Sequence, residues 1–136
     1  ILNDCYNANP LSFARALETL RDLPAQRRVA IMGDMLELGE HAPSAHQAIG
    51  RLAGRLGIDV ILVVGQYAPY VAEGVRERRP NGVTTYDTIA ALLADLPGLL
   101  QAGDGVLVKG SRKLNLEQVT AFLLERCAQG QPRVAS

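Results

Sequence analysis

The chain has 136 residues, 48% of them hydrophobic, with 14 acidic and 14 basic side chains. This is the size of one ordinary domain, apolar enough to bury a core without disulfide or metal staples. The charge balance removes the electrostatic argument for a nucleic-acid partner, and 4% aromatics without Trp leave no base-stacking platform. Cys5 and Cys127 belong to no CxxC or Cys/His cluster, so neither points to a metal, and both read as reduced thiols of a cytoplasmic protein. No apolar run has the length of a membrane span, so no membrane insertion is expected. The chain lacks an initiating Met and starts inside a strand pattern, as expected of a piece of a longer protein.

Ile1 and Leu2 read as the end of a strand, followed by the polar run Asn3-Asp4-Cys5-Tyr6-Asn7-Ala8-Asn9. Asn9-Pro10 is a helix start: Asn caps free N–H groups, and Pro at the first position loses no hydrogen bond. Phe13, Leu17 and Leu20 share the buried face of that helix, which stops before Pro24. Val29 to Met32 is a short buried strand, and Gly33 to Gly39 is the loop at its end. Helix periodicity runs from Pro43 or Ser44 to Leu56, with Gly57 as the stop. Val60 to Val64 is apolar throughout, as in a central parallel strand.

Tyr67 to Arg78 reads as a helix, Pro80-Asn81-Gly82 as a turn, and Val83 to Tyr86 as a less buried strand. Asp87 is the expected cap of a helix that Pro97-Gly98 should break. Gly103-Asp104-Gly105 turns into the strand Val106 to Val108. Lys109 to Arg112 forms a loop, and a last helix spans Leu114 to Cys127. Residues 1–127 are expected to form the domain and 128–136 a flexible tail. Strands and helices alternating in this way predict a Rossmann-like three-layer α/β/α fold, with a mostly parallel sheet of about five or six strands.

All strand-to-helix loops of such a sheet share one edge, where ligands bind. Three are rich in polar groups. In the first, Asp4 can hold a ribose hydroxyl or a metal-bound water, Tyr6 can stack on a flat ring, and Asn7 or Asn9 can bond a base or phosphate. The alternative is turn formation and capping, which is the stronger reading for Asn9 alone. In the second, Asp34 and Glu37 can meet an ammonium group, or they sit in a solvated loop whose glycines supply positive φ. The third, Lys109-Gly110-Ser111-Arg112, combines two cations with an expected helix N-terminus and suits an anion. His41 and His46, at a helix start, read as surface or capping residues. Neither GxGxxG nor GxxxxGK[ST] is present.

A receiver-like phosphoacceptor domain would need an Asp after the third strand, where Val64-Gly65-Gln66 stands. A flavodoxin-like interaction module, with its polar edge touching only protein, is the non-enzymatic alternative.

The three loops together resemble the Mur ligases, in their D-alanyl-D-alanine-adding branch. Asp4-Cys5-Tyr6-Asn7-Ala8-Asn9-Pro10 is similar to that branch's D-S-Y-N-A-N-P, with Cys5 in place of a small hydroxyl residue. Gly33-Asp34-Met35-Leu36-Glu37-Leu38-Gly39 matches G-D-M-x-E-L-G, His46 falls on a family His, and Val108 to Arg112 matches V-K-G-S-R. The resemblance implies the C-terminal domain of a three-domain, ATP-dependent amide-forming ligase of peptidoglycan synthesis. N-terminal and central domains of the same chain would hold UDP-N-acetylmuramoyl-tripeptide, ATP and Mg2+. By the same resemblance, Asp4, Tyr6, Asn7 and Asn9 face the nucleotide. Lys109, Gly110, Ser111 and Arg112 lie toward D-alanyl-D-alanine, and Asp34 and Glu37 shape the same pocket or the domain interface. No residue is expected to act as a chemical acid or base, and the isolated piece is expected to be inactive.

Overall fold

The computed structural model describes residues 2–4, 9–111 and 114–128, with the backbone alone for 2–4, 127 and 128. Apolar runs become strands and amphipathic runs become helices, in alternation. The elements are β1 (Leu2–Asp4), α1 (Pro10–Asp22), β2 (Arg27–Met32), α2 (Ala42–Arg55), β3 (Val60–Val64), α3 (Ala68–Arg76), β4 (Val83–Tyr86), α4 (Ile89–Leu99), β5 (Asp104–Lys109) and α5 (Glu117–Ala128). The strands are all parallel, in the order β1-β5-β2-β3-β4. No sixth strand is seen among the described residues. The expected tail from Gln129 onward lies outside them.

Successive strand residues point to opposite faces, and two cores result. Ala30, Met32, Ile61, Val63 and Leu107 pack with Phe13 and Leu17 of α1, Ile49 of α2 and Val71 of α3. Val29, Ile31, Leu62, Val64, Val106 and Val108 pack with Leu92 and Leu96 of α4 and Val119 and Leu123 of α5. Right-handed crossovers require this division. The chain crosses the sheet in one direction from β1 to β4, laying α1–α3 on one face. It must change face to return to β5 between β1 and β2.

Several helix ends differ from expectation. Asn9 does cap α1: its side chain accepts the Ser12 N–H at 2.9 Å, and the Ser12 hydroxyl accepts the Asn9 N–H in return. At α4 the cap is Thr88, not Asp87, with the Thr88 hydroxyl accepting the Ala91 N–H. Pro97-Gly98 does not break α4, which continues to Leu99. Pro97 sits in the last turn, where its missing N–H forfeits a single bond, and the buried Leu92–Leu96 stripe holds the helix down. α5 begins at Glu117 rather than Leu114, because Asn115 takes a left-handed φ of 55° that no helix continues through.

The amino edge of the sheet is closed by an ion pair between the part-buried Arg27 and the buried Asp104. Arg27 donates to both carboxylate oxygens of Asp104, at 2.9 and 2.8 Å, and Asp104 also accepts the Gln101 N–H. This pairing holds the Arg27 guanidinium above its ordinary pKa. Asp104→Ala strands Arg27 and an amide donor against the core. It should cost about 3 kcal/mol, read as a lower urea midpoint at unchanged slope. An unshifted midpoint would show that water replaces the carboxylate without loss.

Candidate functional site

Crevices open at the carboxyl edge of a parallel sheet where neighbouring strands send their helices to opposite faces. Here that happens on both sides of β5 and again between β3 and β4. The end of β1 and the polar loops after β2 and β5 border the first region. The second is a cleft of about 520 Å³ lined by Asp34, Gly65, Gln66, Thr85, Tyr86 and Asp87, among others.

Asp34 joins the two. Its carboxylate is buried and accepts the N–H groups of Gln66 and Tyr67, both at 2.9 Å, in the turn before α3. Its carbonyl accepts the Ser111 N–H at 2.8 Å, while the Gly33 N–H reaches the Lys109 carbonyl at 2.8 Å. One residue after β2 therefore ties the loops after β3 and β5 together. Close approach makes this possible. A Cβ on Gly110 would lie 2.9 Å from the Gly33 Cα, and one on Gly33 would lie 2.6 Å from Leu114 Cδ1. Gly33 thus serves packing rather than positive φ; in this loop Glu37, at 64°, and Gly39, at 58°, take the left-handed region.

The second loop is not a solvated one. Met35 is buried in the α1–α3 core, and only the stretch from Glu37 onward turns outward. Asp34 and Glu37 do not act as a pair, since the first is buried and the second exposed.

The third loop also differs from its sequence reading. Lys109 is fully buried, and its amino group lies 5.3 Å from the centre of the Phe13 ring on the α1 face. Gly110 and Ser111 lead to the other face. α5 starts only at Glu117, so no helix N-terminus stands directly behind this loop and the dipole argument for an anion does not apply. What remains is local. The Ser111 hydroxyl is buried and makes no hydrogen bond. In the first loop, Asp4 ends β1 beside Lys109 in register. Tyr6, Asn7 and Arg112 lie outside the described residues. Asn9 spends its side-chain oxygen on the α1 cap.

Two features escaped sequence reasoning. The β3–β4 cleft depends on strand order, which no motif encodes. His46 reads from its position as a surface or capping residue, yet it is 1% exposed. Its Nε2 accepts the Met35 N–H at 2.9 Å, its Nδ1 lies 2.6 Å from the Ala42 carbonyl, and Tyr67 stacks on the ring at 4.5 Å. The signal available was the apolar spacing of α2, since His46 stands three residues before the buried Ile49. Burial pushes the His46 pKa down, outweighing the Ala42 carbonyl and Asp34, which act upward. At the cleft, burial and the hydrogen bond to Asp95 push Tyr86 up to about 12.

These features define a doubly wound, all-parallel α/β domain whose described strand-to-helix loops share one edge of the sheet. Residues 1–112 match the family described as Mur ligase, glutamate ligase domain, and the chain belongs to that family. Among its relatives is the UDP-N-acetylmuramoyl-tripeptide–D-alanyl-D-alanine ligase of Escherichia coli K12, 35% identical across 92% of this chain and 27% of the relative. The enzyme of the same name from Treponema pallidum is 37% identical across 90% of this chain and 27% of the relative. A crystal structure of MurF from Acinetobacter baumannii superposes with a TM-score of 0.79 at 34% identity, covering 88% of this chain and 27% of that one. MurF ligase from Thermotoga maritima in complex with ADP gives 0.73 at 25% identity, covering 91% and 27%. The chain thus spans about a quarter of the length of the relatives it matches.

Proposed function

We propose that this chain is the C-terminal domain of an ATP-dependent ligase that adds D-alanyl-D-alanine to UDP-N-acetylmuramoyl-tripeptide in peptidoglycan synthesis. The observation that carries the reading is the match, along nine-tenths of the chain, to ligases named for that reaction. The tripeptide carboxyl is activated by ATP as an acyl phosphate, the dipeptide amine attacks it, and phosphate leaves. N-terminal and central domains hold the UDP-linked substrate and ATP, in the cytoplasm.

This domain's share is positioning and charge stabilisation. Asp4, Tyr6, Asn7 and, less directly, Asn9 line the nucleotide side of the cleft between domains. Gly110, Ser111 and Arg112 approach the dipeptide, with the unpartnered Ser111 hydroxyl as a ready donor. Lys109 and Asp34 support these loops from beneath, and Glu37 lies at the domain boundary. We assign Mg2+ to the ATP-holding domain, and no step here to it.

The test is steady-state kinetics on the full-length ligase that contains this domain. ATP-dependent addition of D-alanyl-D-alanine is expected, and its absence would overturn the assignment. Arg112→Ala should raise KM for the dipeptide roughly tenfold or more, the scale of a lost charge-assisted hydrogen bond, and KM for ATP much less. An unchanged dipeptide KM would remove Arg112 from that site.

A further inference from the structure

The hydrogen bonds around His46 assign its protonation state. The Met35 N–H can only donate, so Nε2 must carry a lone pair. The Ala42 carbonyl can only accept, so Nδ1 must carry the hydrogen. The ring is therefore neutral, in the Nδ1–H form. It is also wedged between two loops, because its face carries Tyr67, whose own N–H is bonded to Asp34. Met35 follows Asp34, and Asp34 holds the Ser111 N–H. One imidazole thus touches the turn after β2 through a hydrogen bond and the turn after β3 through stacking. It reaches the loop after β5 through the single Asp34–Met35 peptide unit, whose N–H bonds His46 and whose carbonyl accepts the Ser111 N–H.

We infer that His46 is a positioning residue: its neutral ring sets the Asp34–Met35 turn and, through it, the loops after β3 and β5 that form the carboxyl-edge site. A side chain that only filled space would need the ring's volume and not its lone pair. Here the lone pair is used, on a backbone donor that is otherwise buried among Met35 and its neighbours. Protonation at Nε2 turns the acceptor into a donor facing a donor, and the turn must open. The titratable groups facing the ring are Asp34 from the turn after β2 and Tyr67 from the turn after β3, with Tyr70 of α3 behind Tyr67. The lowered pKa has a definite sign for stability. His46's contribution is complete above about pH 6.5 and declines as the pH falls through its lower folded value.

The experiment is heteronuclear NMR of the 136-residue chain between about pH 7.5 and pH 5, spanning the ordinary histidine range. At the upper end the imidazole nitrogens should report the Nδ1–H tautomer. On acidification the amides of Met35, Tyr67 and Ser111 should shift with the His46 midpoint. His46→Gln, which can place Oε1 where Nε2 stood, should keep the high-pH positions of these amides and abolish their titration. His46→Phe keeps the ring stack without the acceptor and should displace them at every pH. An Nε2–H tautomer, or a Ser111 amide blind to His46 titration, would overturn the inference. So would a His46→Gln chain whose amides still titrate.

The catalytic consequence rests on the ligase reading and is measured separately in the full-length enzyme. There the acid-side rise in dipeptide KM should vanish in His46→Gln. Loss of titration in the NMR experiment with no change in that KM would count against the assignment of these loops to the dipeptide, not against His46.

Discussion

Alanine at Gly50 should destabilise the chain by about 2–3 kcal/mol, although alanine is the better helix former. The reason lies in how α2 and α3 meet. A Cβ on Gly50 would stand 2.0 Å from the Val71 carbonyl oxygen, and one on Gly74 would stand 2.1 Å from the Gln47 carbonyl oxygen. The two glycines are reciprocal: each helix lays its backbone on the other's missing side chain. Backbone atoms cannot rotate aside as a long side chain can, so the helices must part. Ile49, Ala53, Val71 and Val75 then lose contact in the core they share. Gly54 provides the contrast within the same interface. Its Cβ would meet the Val75 carbonyl at 3.3 Å, a contact that a small shift relieves. Gly54→Ala should therefore be near neutral, the propensity gain of about 1 kcal/mol offsetting the contact. Urea unfolding of Gly50→Ala, Gly74→Ala and Gly54→Ala separates the cases. Equal midpoints for all three would mean that the two helix backbones do not meet at Gly50 and Gly74.

Asp34→Asn should cost about 2–4 kcal/mol and disorganise the site at the same time. The carboxylate accepts two N–H groups, from Gln66 and Tyr67. An amide of the same shape offers one acceptor and turns a donor toward the other N–H. That leaves a buried clash between donors at the start of α3, and no rotation of the amide removes it. Relief through the backbone is blocked as well. A Cβ on Gly65 would fall 2.6 Å from Asp34 Oδ1, so the turn already lies against the carboxylate. In the unfolding experiment the loss should appear at unchanged slope. If the proposed ligase assignment holds, the dipeptide KM of the full-length protein should also rise at temperatures where it stays folded. A variant with wild-type stability would show that Asp34 is not the tie between these loops.

Much of this domain could be read from the chain itself. The apolar runs from Val29 to Met32, Val60 to Val64 and Val106 to Val108 are buried strands, because a strand covered on both faces has no polar positions to spare. Phe13, Leu17 and Leu20 are buried together because helical spacing puts them on one stripe. Asn9 caps α1 as its short acceptor before Pro10 suggests. Errors cluster at element ends, where neighbours compete. Thr88 outcompetes Asp87 for the same helix, and Pro97 is tolerated because it falls in a final turn. The motif loops were legible as a set, and they led to the family that the chain belongs to.

Local pattern could determine these things because strand and helix periods are set by bonds and side chains a few residues apart. It could not determine what crosses the sheet. Strand order places β5 between β1 and β2, and only that insertion brings Lys109 over Phe13 and the Ser111 amide onto Asp34. The change of face between β3 and β4 makes a cleft from residues that carry no motif. His46 looks like any polar residue near a helix start until α2 docks and turns it beneath Tyr67. The sequence by itself determined the elements, the α1 cap and the family. Tertiary structure decided which polar groups are buried, which are paired, and that Asp34 ties the loops after β3 and β5, because those depend on contacts between segments far apart in the chain.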